Sequence, residues 1–382
     1  MRPLARLLRS AAVTRCASTS PTPAPAPTLI CPAPPPAGFF QADGSRGTVE
    51  WDRRTPPMVW HPDYSVPWPS NHRFAMWKFD DLRLECVRSG LVPSERAFFS
   101  PRDEAGDEEL DAAILAAHDA TYVADVTTGT LEATLWRRVG FVQAPDHARL
   151  MRRTRLEVAG TLAAADLART HGLCAHLAGG THHAHRRYGA GYTIFNDLAV
   201  AALDHARRRL GPVVVVDLDV HQGDGTAEIL AGERGITTWS MHCAENYPFG
   251  FNEKFAPYLG GDASTIDTGL PRGAGDAEVL AALDDVLPRL LDDVAPTLVL
   301  FDAGADAHAV DGLGHLELTD AGVRNRDEYV LRACADRGIP CVTVIGGGYD
   351  RDRERLARRH ASVCWSAATI WRDYDLRSRG GA

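Results

Sequence analysis

From Met58 onward the chain alternates two hydrophobic patterns. Short runs of β-branched and aliphatic residues occur at 174–178, 213–216, 236–241, 298–301 and 341–345. Between them lie longer stretches in which apolar positions recur every three or four residues, predicting helices over about 153–170, 197–210, 276–291 with Pro288 inside it, 319–337 and 353–371. Thr319 is a suitable cap and Gly338 a suitable stop. Strands alternating with helices of this length predict an α/β fold, a single doubly wound domain with a central, mostly parallel sheet flanked by helices.

Four of the short runs end in residues that carry chemistry. The run at 213–216 leads into Asp217-Leu218-Asp219-Val220-His221, which in extended backbone puts Asp217, Asp219 and His221 on one side and Leu218 and Val220 on the other. Alone, such a string also fits a solvated strand end with a satisfied histidine. The run at 298–301 leads into Asp302 and then Gly304-Ala305-Asp306, that at 174–178 into Gly179-Gly180-Thr181-His182-His183, and that at 341–345 into Gly346-Gly347-Gly348-Tyr349. Ligands in open α/β sheets gather beyond the carboxyl ends of strands, so four such endings predict one site built from several loops, with a metal among its occupants.

The 382 residues are 45% hydrophobic, enough for one large domain with extensions. A net charge of -9 and the absence of a basic block interleaved with aromatics argue against direct nucleic-acid binding. Lys78 and Lys254 are the only lysines, so nearly all positive charge is arginine. The 8 cysteines form no Cys-x-x-Cys pair, which argues against a disulfide framework or a thiolate zinc knuckle. No apolar stretch approaches the ~18 residues of a membrane span. Residues 1–40 differ from the rest: Arg2, Arg6, Arg9 and Arg15 are spaced among Leu and Ala, no acidic residue occurs before Asp43, and a Pro/Ala-rich linker follows. This is the pattern of a mitochondrial or plastid transit peptide, with residues 41–382 as the catalytic domain and cytoplasm or nucleus as the alternative location.

Taken in order, the motifs resemble the zinc-dependent histone deacetylase family of the arginase/deacetylase fold. They are Gly179-Gly-Thr-His182-His183-Ala, Gly191-Tyr192 with Asn196-Asp197, Asp217-Leu-Asp219-Val-His221-Gln-Gly-Asp224-Gly225, Ser240-Met-His242, Tyr247-Pro-Phe249, Gly304-Ala-Asp306, Asp311-Gly-Leu-Gly314 and Gly346-Gly-Gly-Tyr349. The resemblance runs from about Met58 to Ala367 and is nearer to class IV and bacterial-type members than to nuclear class I enzymes.

The resemblance implies one catalytic zinc on Asp219, His221 and Asp306, and pairs His182 with Asp217 and His183 with Asp224. It makes His183 the general base and then the acid to the leaving amine, with His182 a mainly electrostatic partner; the roles are exchangeable in a coupled pair. Tyr349 would stabilise the oxyanion. Tyr192 and Phe249, with Gly191, Gly347 and Gly348, would form the tunnel for the acyl-lysine stem, Tyr192 standing where Phe is commoner. Asp217 and Ser240 resemble part of a potassium site. The implied enzyme is a metal-dependent amidohydrolase acting on acyl-lysine in protein. An acetylpolyamine or other small acylamine is the alternative substrate, and would call for an acidic residue at the mouth. Readings of other classes are an arginase-like ureohydrolase, to which the tandem histidines and the glycine loop are less suited, and a non-catalytic acyl-lysine binding module. Oligomeric state and acyl-chain preference stay open.

Overall fold

A computed structural model describes residues 40–41, 49–101, 107–142, 144, 146–249 and 264–380. The transit-like reading of the N-terminal segment falls on residues outside these. Described strands are β1 (Phe40–Gln41), β2 (Met58–Val59), β3 (Phe99–Ser100), β4 (Leu173–His176), β5 (Val213–Asp217), β6 (Ile236–Cys243), β7 (Thr265–Leu270), β8 (Leu298–Asp302) and β9 (Cys341–Val344). They form one sheet in the order β1-β3-β2-β4-β9-β8-β5-β6-β7. Only the β1–β3 pair is antiparallel.

Every residue of β5 and β8 is buried, as central parallel strands with covered faces require. Val213 to Val216 are fully enclosed, and each such side chain contributes roughly 1.5–3 kcal/mol of hydrophobic stabilisation. The helices flanking the sheet are α1 (Lys78–Arg88), α2 (Glu108–Ala117), α3 (Ala120–Thr128), α4 (Ala133–Val139), α5 (His147–His171), α6 (Asp197–Arg207), α7 (Asp224–Leu230), α8 (Asp276–Val294), α9 (Asp320–Asp336) and α10 (Arg353–Asp373). Helices α5, α6 and α2 pack in one series and α1, α10, α9 and α8 in another. The Thr319 hydroxyl accepts from the Gly322 N–H at the start of α9, and Gly338 past its end adopts a left-handed φ of 66°. Pro288 lies inside α8 without ending it. Among the described residues no helix is long and apolar enough to cross a membrane.

Candidate active site

The order β4-β9-β8-β5 places the four chemistry-bearing strand ends side by side along one sheet edge. Asp217 at the end of β5 is in register with Asp302 of β8 on one side and Ser240 of β6 on the other. The loop after β4 is tied down by α6: Asp197 accepts the backbone N–H of Thr181 at 2.8 Å and of Gly180 at 3.1 Å, and Asn196 Nδ2 donates to the Ala184 carbonyl at 3.1 Å. His182 and His183 are thereby fixed with ring centroids 4.1 Å apart.

Oxygen and nitrogen atoms of Asp219, His221 and Asp306 all lie within 4.8 Å of one another, and all three residues are buried. His221 Nδ1 is 3.0 Å from Asp219 Oδ1 and 3.3 Å from Asp306 Oδ2. The remaining carboxylate oxygens are held by backbone, Gly347 N–H donating to Asp219 Oδ2 at 2.7 Å and Val220 N–H to Asp306 Oδ1 at 3.0 Å. Asp306 Oδ2 has no hydrogen-bond partner and lies farther from His221 Nδ1 than Asp219 Oδ1 does. An orphaned buried oxygen beside a second carboxylate and an imidazole suits a divalent cation with hard or borderline ligands. A Cβ at Gly347 would sit 1.9 Å from that same oxygen, so the loop leaves the space clear.

The two histidines sit in separate couples. His182 Nδ1 is 2.8 Å from Asp217 Oδ2, and its Nε2 is 3.8 Å from Asp219 Oδ1. Burial opposes its charge, but Asp217 and Asp219 outweigh burial and its pKa is raised. His183 Nδ1 is 2.6 Å from Asp224 Oδ1. Burial and the neighbouring His182 lower it to about 4 against the pull of Asp224, so it stands neutral at pH 7. Ser240 Oγ accepts the Gly223 N–H at 3.2 Å and lies 3.1 Å from His242 Nδ1.

Above these groups opens a cleft of about 520 Å³, lined among others by His183, His221, Tyr192, Tyr247, Phe249 and Tyr349. The Tyr349 ring is 6.3 Å from that of His221 and 6.0 Å from that of Tyr192. Burial, then the Asp306 and Asp219 carboxylates, push the Tyr349 hydroxyl well above its usual pKa, keeping it a donor. Tyr192 adopts a left-handed φ of 66° and stacks on Phe141, while Gly191 lets His183 approach, since a Cβ there would lie 2.4 Å from the imidazole. Phe249 lines the cleft as expected, whereas the placing of Gly348 needs adjusting. Phe249 borders the cleft but is 74% exposed, and the aromatic edge nearest the histidine couple is Tyr247, its centroid 4.9 Å from that of His183. Gly348 lines neither this cleft nor the smaller one beneath it; a Cβ there would meet His360 at 2.6 Å, so its role is close packing against α10.

Several supporting residues were given no role by the sequence, although Asp302 and Asp311 stand in its motifs. Arg326, buried in α9, donates to the carbonyls of Leu218 at 3.1 Å, Gly304 at 2.8 Å and Ala303 at 3.2 Å, clipping together the two loops that bear Asp219 and Asp306. Lys78 Nζ, also buried, donates to the Gly346 carbonyl at 2.7 Å. Asp311 accepts the Tyr349 N–H at 2.7 Å and the Leu313 N–H at 2.8 Å, setting the tyrosine's backbone. His185 lies between Asp224 Oδ2 at 3.1 Å and Glu228 Oε2 at 2.6 Å. Asp302, fully buried, has neither oxygen hydrogen-bonded and lies with His182 and Asp217 in a second group that could hold a cation.

The model of the histone deacetylase domain matches residues 78–366, which contain every one of these groups. The chain belongs to the histone deacetylase family. It is a hydrolase of non-peptide C–N amide bonds, with the α/β fold of that family, and its domain implies an acylated substrate. An uncharacterized protein of Picosynechococcus is 39% identical over 82% of this chain and 99% of its own length. A probable deacetylase of Methanothermobacter thermautotrophicus is 30% identical over 69% of this chain and 79% of its own. Histone deacetylase 2 of Arabidopsis thaliana is 30% identical over 53% of this chain, which spans about half of that relative's length.

Proposed function

We propose that this deacetylase removes the acyl group from acylated lysine side chains, with one zinc ion on Asp219, His221 and Asp306. The carrying observation is that His183 and Tyr349 line the cleft together with His221 and also line the smaller cavity beneath it together with Asp219, whereas His182 reaches only the smaller cavity. Bound there, zinc supplies a Lewis acid for the amide carbonyl and acidifies water.

The protein's own groups do the rest. With Nδ1 committed to Asp224, His183 offers Nε2 to take a proton from the attacking water and return it to the leaving amine. His182, charged through Asp217, stabilises negative charge without lining the cleft. Tyr349 donates its hydroxyl to the carbonyl oxygen as negative charge develops. Tyr192 and Tyr247 flank an aliphatic stem and exclude water from the amide. Asp217 and Ser240, facing one another across β5 and β6, are proposed to share a potassium ion. The acetylpolyamine alternative is less well supported, since among the described residues no Asp or Glu lines the cleft.

Turnover of acetyl-lysine, long-acyl-lysine and acetylpolyamine substrates by metal-loaded protein tests the reading. Hydrolysis of an acyl-lysine substrate is expected, and binding without turnover of any would instead favour a binding module. We further propose organellar targeting by residues 1–40, to be checked by fusing them to a fluorescent reporter; a diffuse cytosolic signal would overturn it.

A further inference from the structure

Three arginines, Arg73, Arg137 and Arg138, line the mouth of the cleft. All three are exposed, and none makes an ion pair among the described residues. Elsewhere arginines are commonly matched, as in Arg353 with Asp81 at 2.6 Å and Arg337 with Asp292 at 2.7 Å. The chain as a whole has 50 acidic against 41 basic residues, so three arginines with no Asp or Glu beside them among the described lining residues run against its overall charge. Arg73 comes from the segment before α1, and Arg137 and Arg138 from the last turn of α4. Arg73 is close enough to perturb the Tyr192 hydroxyl, and Arg138 stacks 4.3 Å over Tyr188 and acts on the hydroxyl of Tyr247.

We propose that this rim selects acyl-lysines set in acidic protein segments, carboxylates beside the lysine pairing with Arg73, Arg137 and Arg138. The inference rests on the acyl-lysine reading above and specifies which acyl-lysines are used. An acyl-lysine stem in the cleft leaves its own main chain and the adjoining residues at the mouth, within the ~8–10 Å over which charges act at ordinary ionic strength. Carboxylates there meet guanidinium groups that present paired N–H donors in the geometry a carboxylate accepts. Ammonium groups of a polyamine, or of a lysine- and arginine-rich tail, meet like charge, which excludes partners more strongly than attraction recruits them.

Three peptides of equal length, each with one central acetyl-lysine, test this: one flanked by Asp and Glu, one by Gly and Ser, one by Lys and Arg. For the zinc-loaded full chain the acidic peptide should exceed the basic one in kcat/KM by about tenfold at low salt, the advantage collapsing near 0.5 M salt as screening shortens the field. The double variant Arg73→Glu with Arg137→Glu should invert the ratio; Arg138 is left in place because it packs on Tyr188. Both changed residues are exposed and unpaired, so the fold tolerates the change. Equal use of the acidic and basic peptides, or an acidic preference that survives both substitutions, overturns the rim proposal while turnover of the Gly/Ser peptide leaves the acyl-lysine reading intact. No turnover of any peptide overturns that reading, and the rim proposal with it.

Discussion

His185 Nε2 lies 3.1 Å from Asp224 Oδ2, the carboxylate oxygen that His183 leaves free. The carboxylate is therefore gripped from both sides, and Glu228 holds the far nitrogen of His185 at 2.6 Å. Burial opposes a charge on His185, but Asp224 and Glu228 outweigh it and raise its pKa from 6.5 to about 9. A raised histidine stabilises the fold below its unfolded pKa, and that contribution is lost as pH climbs through the folded value. The difference in unfolding free energy between the native protein and His185→Gln should thus be on the order of 2–3 kcal/mol near pH 6 and shrink between pH 6.5 and 9. Turnover of the variant at pH 7 should fall about tenfold as Asp224 loses one of its two histidine partners. Chemical denaturation across pH, with kcat measured in parallel, checks both.

Tyr349→Phe removes one hydrogen-bond donor that acts chiefly as the carbonyl oxygen gains charge. Turnover on the best acyl-lysine substrate should drop by roughly 10² to 10³ with KM little changed. His183→Ala should lose at least as much. Neither residue belongs to the Asp219, His221 and Asp306 group, so zinc content by elemental analysis should match the unaltered protein. A Tyr349→Phe enzyme with normal kcat would remove the hydroxyl from the mechanism.

Arg326 spans the Leu218, Ala303 and Gly304 carbonyls and pairs with the buried Asp327 at 2.8 Å. Arg326→Met would strand one carboxylate and three carbonyls, a loss of about 3–5 kcal/mol. Loosening of both ligand loops should also weaken metal retention, measurable as faster loss of zinc to a chelator in variant than in native protein. A milder change with zinc retention unaltered would mean the two loops hold their positions without the clip.

Acid should unfold the protein through two buried neutral histidines. His118 Nε2 accepts the Asn196 N–H at 2.9 Å, and His176 lies between Thr161 Oγ1 at 3.0 Å and Tyr64 Oη at 2.8 Å. Burial lowers His118 to about 4 and His176 to about 3. The unfolded chain takes up these protons near pH 6.5 while the native one does not, so stability falls as pH drops from 6.5 toward 4, by up to about 3 kcal/mol for each residue. The denaturation midpoint at pH 4.5 should lie well below that at pH 7, and His118→Gln should narrow the gap.

Much of the site was legible because strand ends concentrate it. Asp219, His221 and Asp306 follow unbroken apolar runs, and such runs locate buried parallel strands and their exits with little ambiguity. Strand β7 was missed because an edge strand with mixed exposure, Thr265–Leu270, has neither a solid apolar run nor a clean alternation. Helices α1 to α4 were not predicted either, being short and irregularly patterned. Arg326 and Lys78 read as ordinary solvated charges, since a buried cation shows only through the distant carbonyls it reaches. From the sequence Tyr247 takes no role beside Phe249, because which of two nearby rings comes to rest against the histidine couple depends on loop path rather than residue type.

Strand β9, made of residues 341–344, lies between β4 and β8 in the middle of the sheet. On the ribosome, the sheet therefore stays split into two unjoined halves until Cys341–Val344, the last strand in chain order, has been synthesised. Until then the exposed flanks of β4 and β8 are open strand edges in search of a partner. The nascent chain depends on shielding during that interval, and any premature stop before Cys341 leaves a fragment whose two halves cannot close and which is bound for aggregation or degradation.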